Sequence, residues 1–345
     1  MSGPNEPRTT VLDPDQRDRL RRAKLTAVAR DRLGLEGEAV GVGSLAALRA
    51  GDTAVVLLEE GDAAALAGAL VWADRNRAGR VVLLVEQGEA LVARLAGHFA
   101  PGGGEVEVLA LRTDRVEPVE AEPLPVPAPP PEGSEPLVRE LHAAGVEVVV
   151  EHGVVRGEVL GLEVARLVRW PVETGGDGEL HLEVGVGRFD RDATAAARPD
   201  ETPAEGLRRA VRMVSEHRHA GAPVHPIQML ARPRWLRSTL VADPARVGAG
   251  SLRPVEMTIE AGGLKDTHPA AAVGVDEQGR ELVVVCSTGA DLGLVPLAAD
   301  ARAMHAPSAR LVLALPQRDL HVVTRTLAGL LREPAELRGV RPDWG

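Results

Sequence analysis

The chain has 345 residues, one cysteine and a formal net charge of −10, so it is long enough for two domains, forms no internal disulfide, excludes zinc sites built mainly of cysteine and carries no chain-wide basic footprint for nucleic acid. The opening MSGPNEPRTT has no apolar leader and no stretch approaches about 18 uninterrupted apolar residues, which predicts a cytoplasmic protein that does not span a membrane. Tyrosine is absent and the two lysines are Lys24 and Lys265; amid so much arginine, a retained lysine is either a chance survivor on a solvated surface or a compact amine that guanidinium cannot replace.

Residues 1–50 form an N-terminal helical extension, in which Asp13-Pro14-Asp15 starts a helix running to about Leu33. From 51 to 116 the pattern is α/β: strand Ala54 to Leu58, helix Ala63 to about Arg77, strand Val81 to Val85, helix Glu89 to Phe99 and strand Glu105 to Leu111. These short continuous apolar runs suit parallel strands covered on both faces. The stretch PVEAEPLPVPAPPPEGSEP then predicts an extended linker over 117–135, because proline cannot donate to a backbone ladder.

Residues 136–260 read as a central α+β segment. A helix from Pro136 to Ala144 precedes strands Glu147 to Glu151, Glu158 to Val168 and Glu179 to Val186, the last two joined by a turn at Thr174 to Gly178. Thr202-Pro203-Ala204-Glu205 is a capping box opening a helix with Leu207, Val211 and Val214 on one side. A further helix is expected over Pro226 to Leu240, interrupted near Pro233, and a strand over Val255 to Ile259. Residues 261–345 return to the earlier order: strand Leu282 to Val285, a helix ending near His305, strand Leu311 to Leu315, helix His321 to Leu331 and strand Ala335 to Val340. The expected fold class is therefore α/β, two related β-α-β-α-β halves flanking a central antiparallel β-hairpin and helix segment. Gly61 answers to Gly289, Ala73-Asp74 to Ala299-Asp300 and Leu95-Ala96-Gly97 to Leu327-Ala328-Gly329, which reads as an internal duplication; the alternative is that any two such units look alike in valine and alanine.

The central order of helix, antiparallel strands and helix resembles the core of the PD-(D/E)XK nuclease-like superfamily over about a third of the chain. That resemblance implies an acidic residue on the second strand and Glu-x-Lys on the third, together holding a divalent ion such as magnesium. The matching residues are Glu163 in GLEVAR and Glu183 in LEVGVG, with Lys265 supplied from a loop; Gly185 stands where the family has its lysine. Alternation places Glu163 on a face with Val159, Ala165 and Leu167, where a carboxylate needs a metal or a donor to offset its desolvation. Arg188, Arg234 and Arg237 are the candidate phosphate contacts, the last two lying beside Trp235. Ordinary strand glutamates paired with arginines would look the same. The chain also resembles a family of high-GC actinobacterial proteins through GEVLGLEVARLV and VVVCSTGADLGLVPLAADAR, a resemblance that brings no activity with it.

Two other groups stand out. His217, His219 and His225 invite zinc or nickel, although residues two apart on a helix do not face each other and histidines are favoured at helix C-termini. Cys286-Ser287-Thr288-Gly289 follows a strand, where a loop can hold a small anion, but Cys286 itself reads as a structural thiol. No dinucleotide fingerprint and no P-loop is present. Two functional classes follow: a metal-dependent phosphodiesterase or nuclease-like protein, active or inactive, using magnesium and acting on nucleic acid or a phosphorylated small molecule; or a non-catalytic binding or scaffold protein with a protein partner. Convergent carboxylates in a cleft would mark the first, carboxylates paired with arginines the second.

Overall fold

A computed structural model of the chain describes residues 13–113, 115–170, 172, 177–186, 201–260 and 268–344. The chain divides inside the proline-rich stretch into two compact units, Met1–Glu122 and Pro123–Gly345. Among the described residues no helix is long and apolar enough to cross a membrane.

The first unit runs α1 (Pro14–Leu33), β1 (Ala39–Val42), β2 (Leu45–Ala50), β3 (Thr53–Leu58), α2 (Ala63–Arg75), β4 (Arg80–Val85), α3 (Glu89–Ala96), β5 (Val106–Leu111) and β6 (Val116–Pro118). Pro14 opens α1 with a preset φ, and Gly34 closes it at φ 67°. Asp62 starts α2 by accepting the Ala65 N–H at 2.7 Å. The six strands lie in sequence order: β1 to β3 pair antiparallel, β3, β4 and β5 run parallel, and β6 returns antiparallel along β5. Val55, Leu57, Val82, Leu84, Leu109 and Leu111 are buried under Leu25 and Ala29 of α1. On the opposite face Gly68 of α2 approaches Leu45, so the strands are covered on both sides, as their apolar runs predict.

The second unit opens with α4 (Glu135–Ala143), β7 (Glu147–Glu151), β8 (Val154–Val159), β9 (Leu162–Arg169), β10 (Leu180–Val184) and α5 (Pro203–His217). The capping box at Thr202 and Glu205 forms as the sequence predicts. These strands make an antiparallel meander, β10-β9-β8-β7. The single strand expected from Glu158 to Val168 is in fact two, because Leu160 and Gly161 both take positive φ, 49° and 71°, and fold the chain into a two-residue hairpin turn. The three-stranded nuclease-like arrangement is thus a four-stranded antiparallel sheet.

A mixed sheet follows, from α6 (Arg232–Ala242), β11 (Ala249–Val255), β12 (Ala270–Asp276), β13 (Glu281–Cys286), α7 (Leu294–His305), β14 (Arg310–Pro316), α8 (Val322–Gly329) and β15 (Glu336–Val340). The helix expected from Pro226 splits into a 3-10 turn, Pro226–Met229, and α6; the strand expected at Val255 to Ile259 ends where it was to begin. The order β11 to β15 is sequential, with β11, β12 and β13 antiparallel and β13, β14 and β15 parallel. The first five strands of the other unit show the same order and directions. Trp235, Leu236 and Leu240 of α6 cover Leu282, Val284, Cys286, Val312 and Ala314, as α1 covers its own sheet. The correspondence weakens at single residues: Gly289 has φ 72° in open space, whereas Gly61 is glycine because Val85 and Val92 crowd it.

Candidate functional site

The meander has two unlike faces. Val155, Val159, Leu162, Val164 and Leu167 pack with Leu141 of α4 and with Leu207, Ala210 and Val214 of α5. The other face carries Glu151, Arg156, Glu158, Glu163 and Arg166, the first four buried. Glu163 reaches that face through a β-bulge: Gly157 pairs with Ala165 but Glu158 with Glu163, so β9 holds one extra residue at Val164. The bulge breaks simple alternation, and Glu163 joins Arg166 instead of Ala165 and Leu167.

Arginines close this face. Arg156 Nη1 donates to Glu163 Oε2 at 2.8 Å, while Arg166 Nε and Nη2 donate to Glu163 Oε1 and Oε2 at 2.7 and 3.0 Å. From α6, Arg237 donates to Glu151 at 3.0 Å and Glu158 at 2.8 Å, and Arg234 bridges the same two carboxylates. Glu158 is 0 % and Arg237 1 % exposed, so this is an interior ionic network in which each charge needs its partner. Burial by itself would raise Glu163, but Arg166 and Arg156 outweigh it and hold the carboxyl below its ordinary value.

The expected site residues that lie among the described ones have these surroundings. Glu183 lies directly opposite Arg166 in the register, and the Trp170 Nε1–H reaches its carboxylate at 3.5 Å. A guanidinium thus pairs with one proposed magnesium ligand and faces the other across the strands. Magnesium does not fit this donor set, because both Glu163 oxygens are taken by arginine hydrogen bonds and a cation would meet Arg166 and Arg156. Arg234 and Arg237, proposed as phosphate contacts, point into the network, and Trp235 is fully buried against Trp344, with ring centroids 4.9 Å apart. Lys265 and Arg188 lie outside the described residues. Among the described residues no group of three or more His, Cys, Asp or Glu side chains is placed to hold a metal ion.

The remaining candidates resolve by geometry. The His217 and His225 rings stack face to face, 3.9 Å apart and 3° from parallel, which sends their lone pairs along parallel planes and away from a common ion. Cys286 is fully buried and burial pushes its thiol up to about 12. In the loop after it, Ser287 donates to Asp291 at 2.7 Å and the Gly289 N–H donates to Asp319 at 2.8 Å, so one carboxylate of the loop and one from the turn after β14 already occupy these two donors. Arg218, 0 % exposed, donates to the carbonyls of Leu160, Ile227 and Leu230 and lies 4.6 Å from the Trp235 ring centroid; it ties the β8–β9 turn to the segment leading into α6.

Each unit also has an open cleft beyond the carboxyl ends of its parallel strands, the usual place for ligands in such sheets. In the first unit the cleft holds about 740 Å³ and is lined by Lys24, Arg32, Glu86, Arg112 and Arg115. Three of its four cations are matched: Lys24 meets Glu86 at 2.6 Å, Arg112 pairs with Glu89, and Arg115 meets Glu117 at 2.5 Å. In the second unit the cleft holds about 1090 Å³, between the ends of β14 and β15, and is lined by Arg246, Gln317, Arg318, Arg341, Asp343 and Trp344 among others. Sequence reasoning missed these arginines. A signal was present: Arg112-Thr113-Asp114 and Arg341-Pro342-Asp343 follow the corresponding strands β5 and β15. Comparison with protein-family models, with curated proteins and with solved structures finds no match to this chain.

Proposed function

We propose that the chain is a non-catalytic binding protein, whose central acidic residues hold the fold together and whose ligand contacts lie in a cleft at the carboxyl edge of a parallel sheet. The observation that carries this reading is Glu163: buried, held ionised, and engaged through both oxygens by Arg156 and Arg166. A hydrolytic metal site needs carboxylates free to face an ion and water. The same reading takes the two units as an internal duplication, supported by their common strand order and directions. It keeps the protein in the cytoplasm, supported by a lone thiol sealed in a core.

Thermal melts with and without magnesium or manganese test it, on the parent and on Glu163→Gln and Glu183→Gln. The expected result is no metal-dependent rise in Tm, with Glu163→Gln melting lower in every buffer because two arginines lose a charged partner. A rise in the parent that both variants abolish, accompanied by cleavage of a phosphodiester, would replace the binding reading with the nuclease-like one.

A further inference from the structure

We infer that the cleft between the ends of β14 and β15 binds a small phosphorylated molecule through Arg318 and Arg341, an inference that rests on the binding reading and gives it a ligand class. Arg318 is 62 % exposed and meets a single carboxylate, Asp319, at 3.9 Å, a separation beyond any hydrogen bond. Arg341 is exposed and, among the described residues, has no carboxylate partner. The acids nearby are already committed. Asp343 accepts Arg246 at 3.1 Å and the Thr239 hydroxyl at 3.0 Å, and Asp319 accepts the Gly289 N–H.

Two further arginines stand at the cleft: Arg246 lines it, already paired with Asp243 and Asp343, and Arg232 lies over the Trp344 ring at 5.6 Å. Arg232 is more readily deprotonated than usual, chiefly through burial and then through Arg318, with Asp319 acting against them. Gln317 lies so close over Gly339 that a side chain there would strike its Oε1, placing an amide between the strand ends in the same cleft.

The contrast with the first unit is informative. Arg112 occupies the position after β5 that Arg341 occupies after β15, yet Arg112 is paired with Glu89, so the same location is neutralised in one unit and left cationic in the other. Guanidinium groups bind phosphate oxygens bidentately, and the cleft, at about 1090 Å³, is slightly larger than the pockets that small ligands usually fill. A net charge of −10 over the chain repels a polynucleotide at long range but leaves a local cationic cleft able to capture a small anion.

The test is calorimetric titration of the full chain with sodium pyrophosphate at constant ionic strength, repeated with a ten-nucleotide single-stranded DNA. The variants are Arg318→Gln/Arg341→Gln and, as a control, Arg112→Gln. Saturable binding of pyrophosphate is expected, weakened at least about tenfold in the double variant and unchanged in Arg112→Gln. No saturable binding, equal binding by the double variant, or binding of the oligonucleotide alone overturns the proposal. Binding accompanied by release of orthophosphate in the presence of magnesium supports the site and overturns the non-catalytic reading.

Discussion

Glu147 and Glu151 stand four residues apart on β7, and their surroundings drive them in opposite directions. Burial, reinforced by Glu158, raises Glu147. Burial would raise Glu151 too, but Arg234, Arg237 and Arg156 outweigh it and hold the carboxyl down to about 2. A carboxyl depressed in the folded state contributes stability above its unfolded value and loses it as pH falls toward the folded one. The loss attached to Glu151 thus falls between pH 4.5 and about 2, on the order of 3 kcal/mol. Glu147 has the reverse sign: its charged form is the costly one, so protonation on acidification partly offsets the loss. Urea melts from pH 2 to 8 should show stability falling through that acid window, a shallower fall in Glu151→Gln, and a gain at pH 7 in Glu147→Gln. Loss of stability at pH 7 in Glu147→Gln would refute this account of the face.

At the scale of elements, the turn between β8 and β9 decides where α6 can sit. Leu160 and Gly161 form it with positive φ, and a Cβ on Gly161 would lie 2.3 Å from the Arg234 carbonyl oxygen and 2.4 Å from the Trp235 nitrogen. The neighbour is backbone and cannot swing away. Gly161→Ala should therefore cost roughly 2–3 kcal/mol or more, combining the strained φ with the clash. Gly221→Ala, at φ 81° in open space, bears the φ cost alone, about 1 kcal/mol. Equal denaturation midpoints for the two variants would show that α6 does not press on the turn. This turn also marks a limit of sequence reading. Continuous apolar runs made β3, β4, β13 and β14 legible, and Thr202 with Glu205 announced α5. The run from Glu158 to Val168 hides a hairpin because Leu160 is an improbable residue for positive φ, tolerated here by long-range packing. The bulge at Val164 likewise leaves no local mark. Without it Glu163 would face the apolar side, the placement that made it resemble a metal ligand; with it the carboxylate meets Arg156 and Arg166, whose role depends on pairings that alternation alone does not supply.

At the scale of the whole molecule, each unit carries its own core and its own way of covering a sequential five-strand order: α1 lies over Val55, Leu57, Val82 and Leu84, and α6 over Leu282, Val284, Val312 and Ala314. The second unit adds a meander whose apolar face is closed by α4 and α5 and whose charged face is closed by two arginines of α6. Because α6 serves both sheets, turning Trp235 and Leu236 to one and Arg234 and Arg237 to the other, that unit should unfold as one cooperative body despite its two sheets. Leu25 and Ala29 give α1 only one sheet to serve. A fragment of residues 1–122 should accordingly fold alone with a single transition, and a fragment of 123–345 should do the same, their circular dichroism spectra summing to that of the full chain. If 123–345 instead melts in two steps, the ionic face does not couple the meander to α6, and the arginines are a surface the sheets share without cooperation. If 1–122 is unfolded in isolation, its core depends on the rest of the chain. Pyrophosphate added to the 123–345 fragment should raise its transition as it does in the full chain, since Arg318 and Arg341 both belong to that unit.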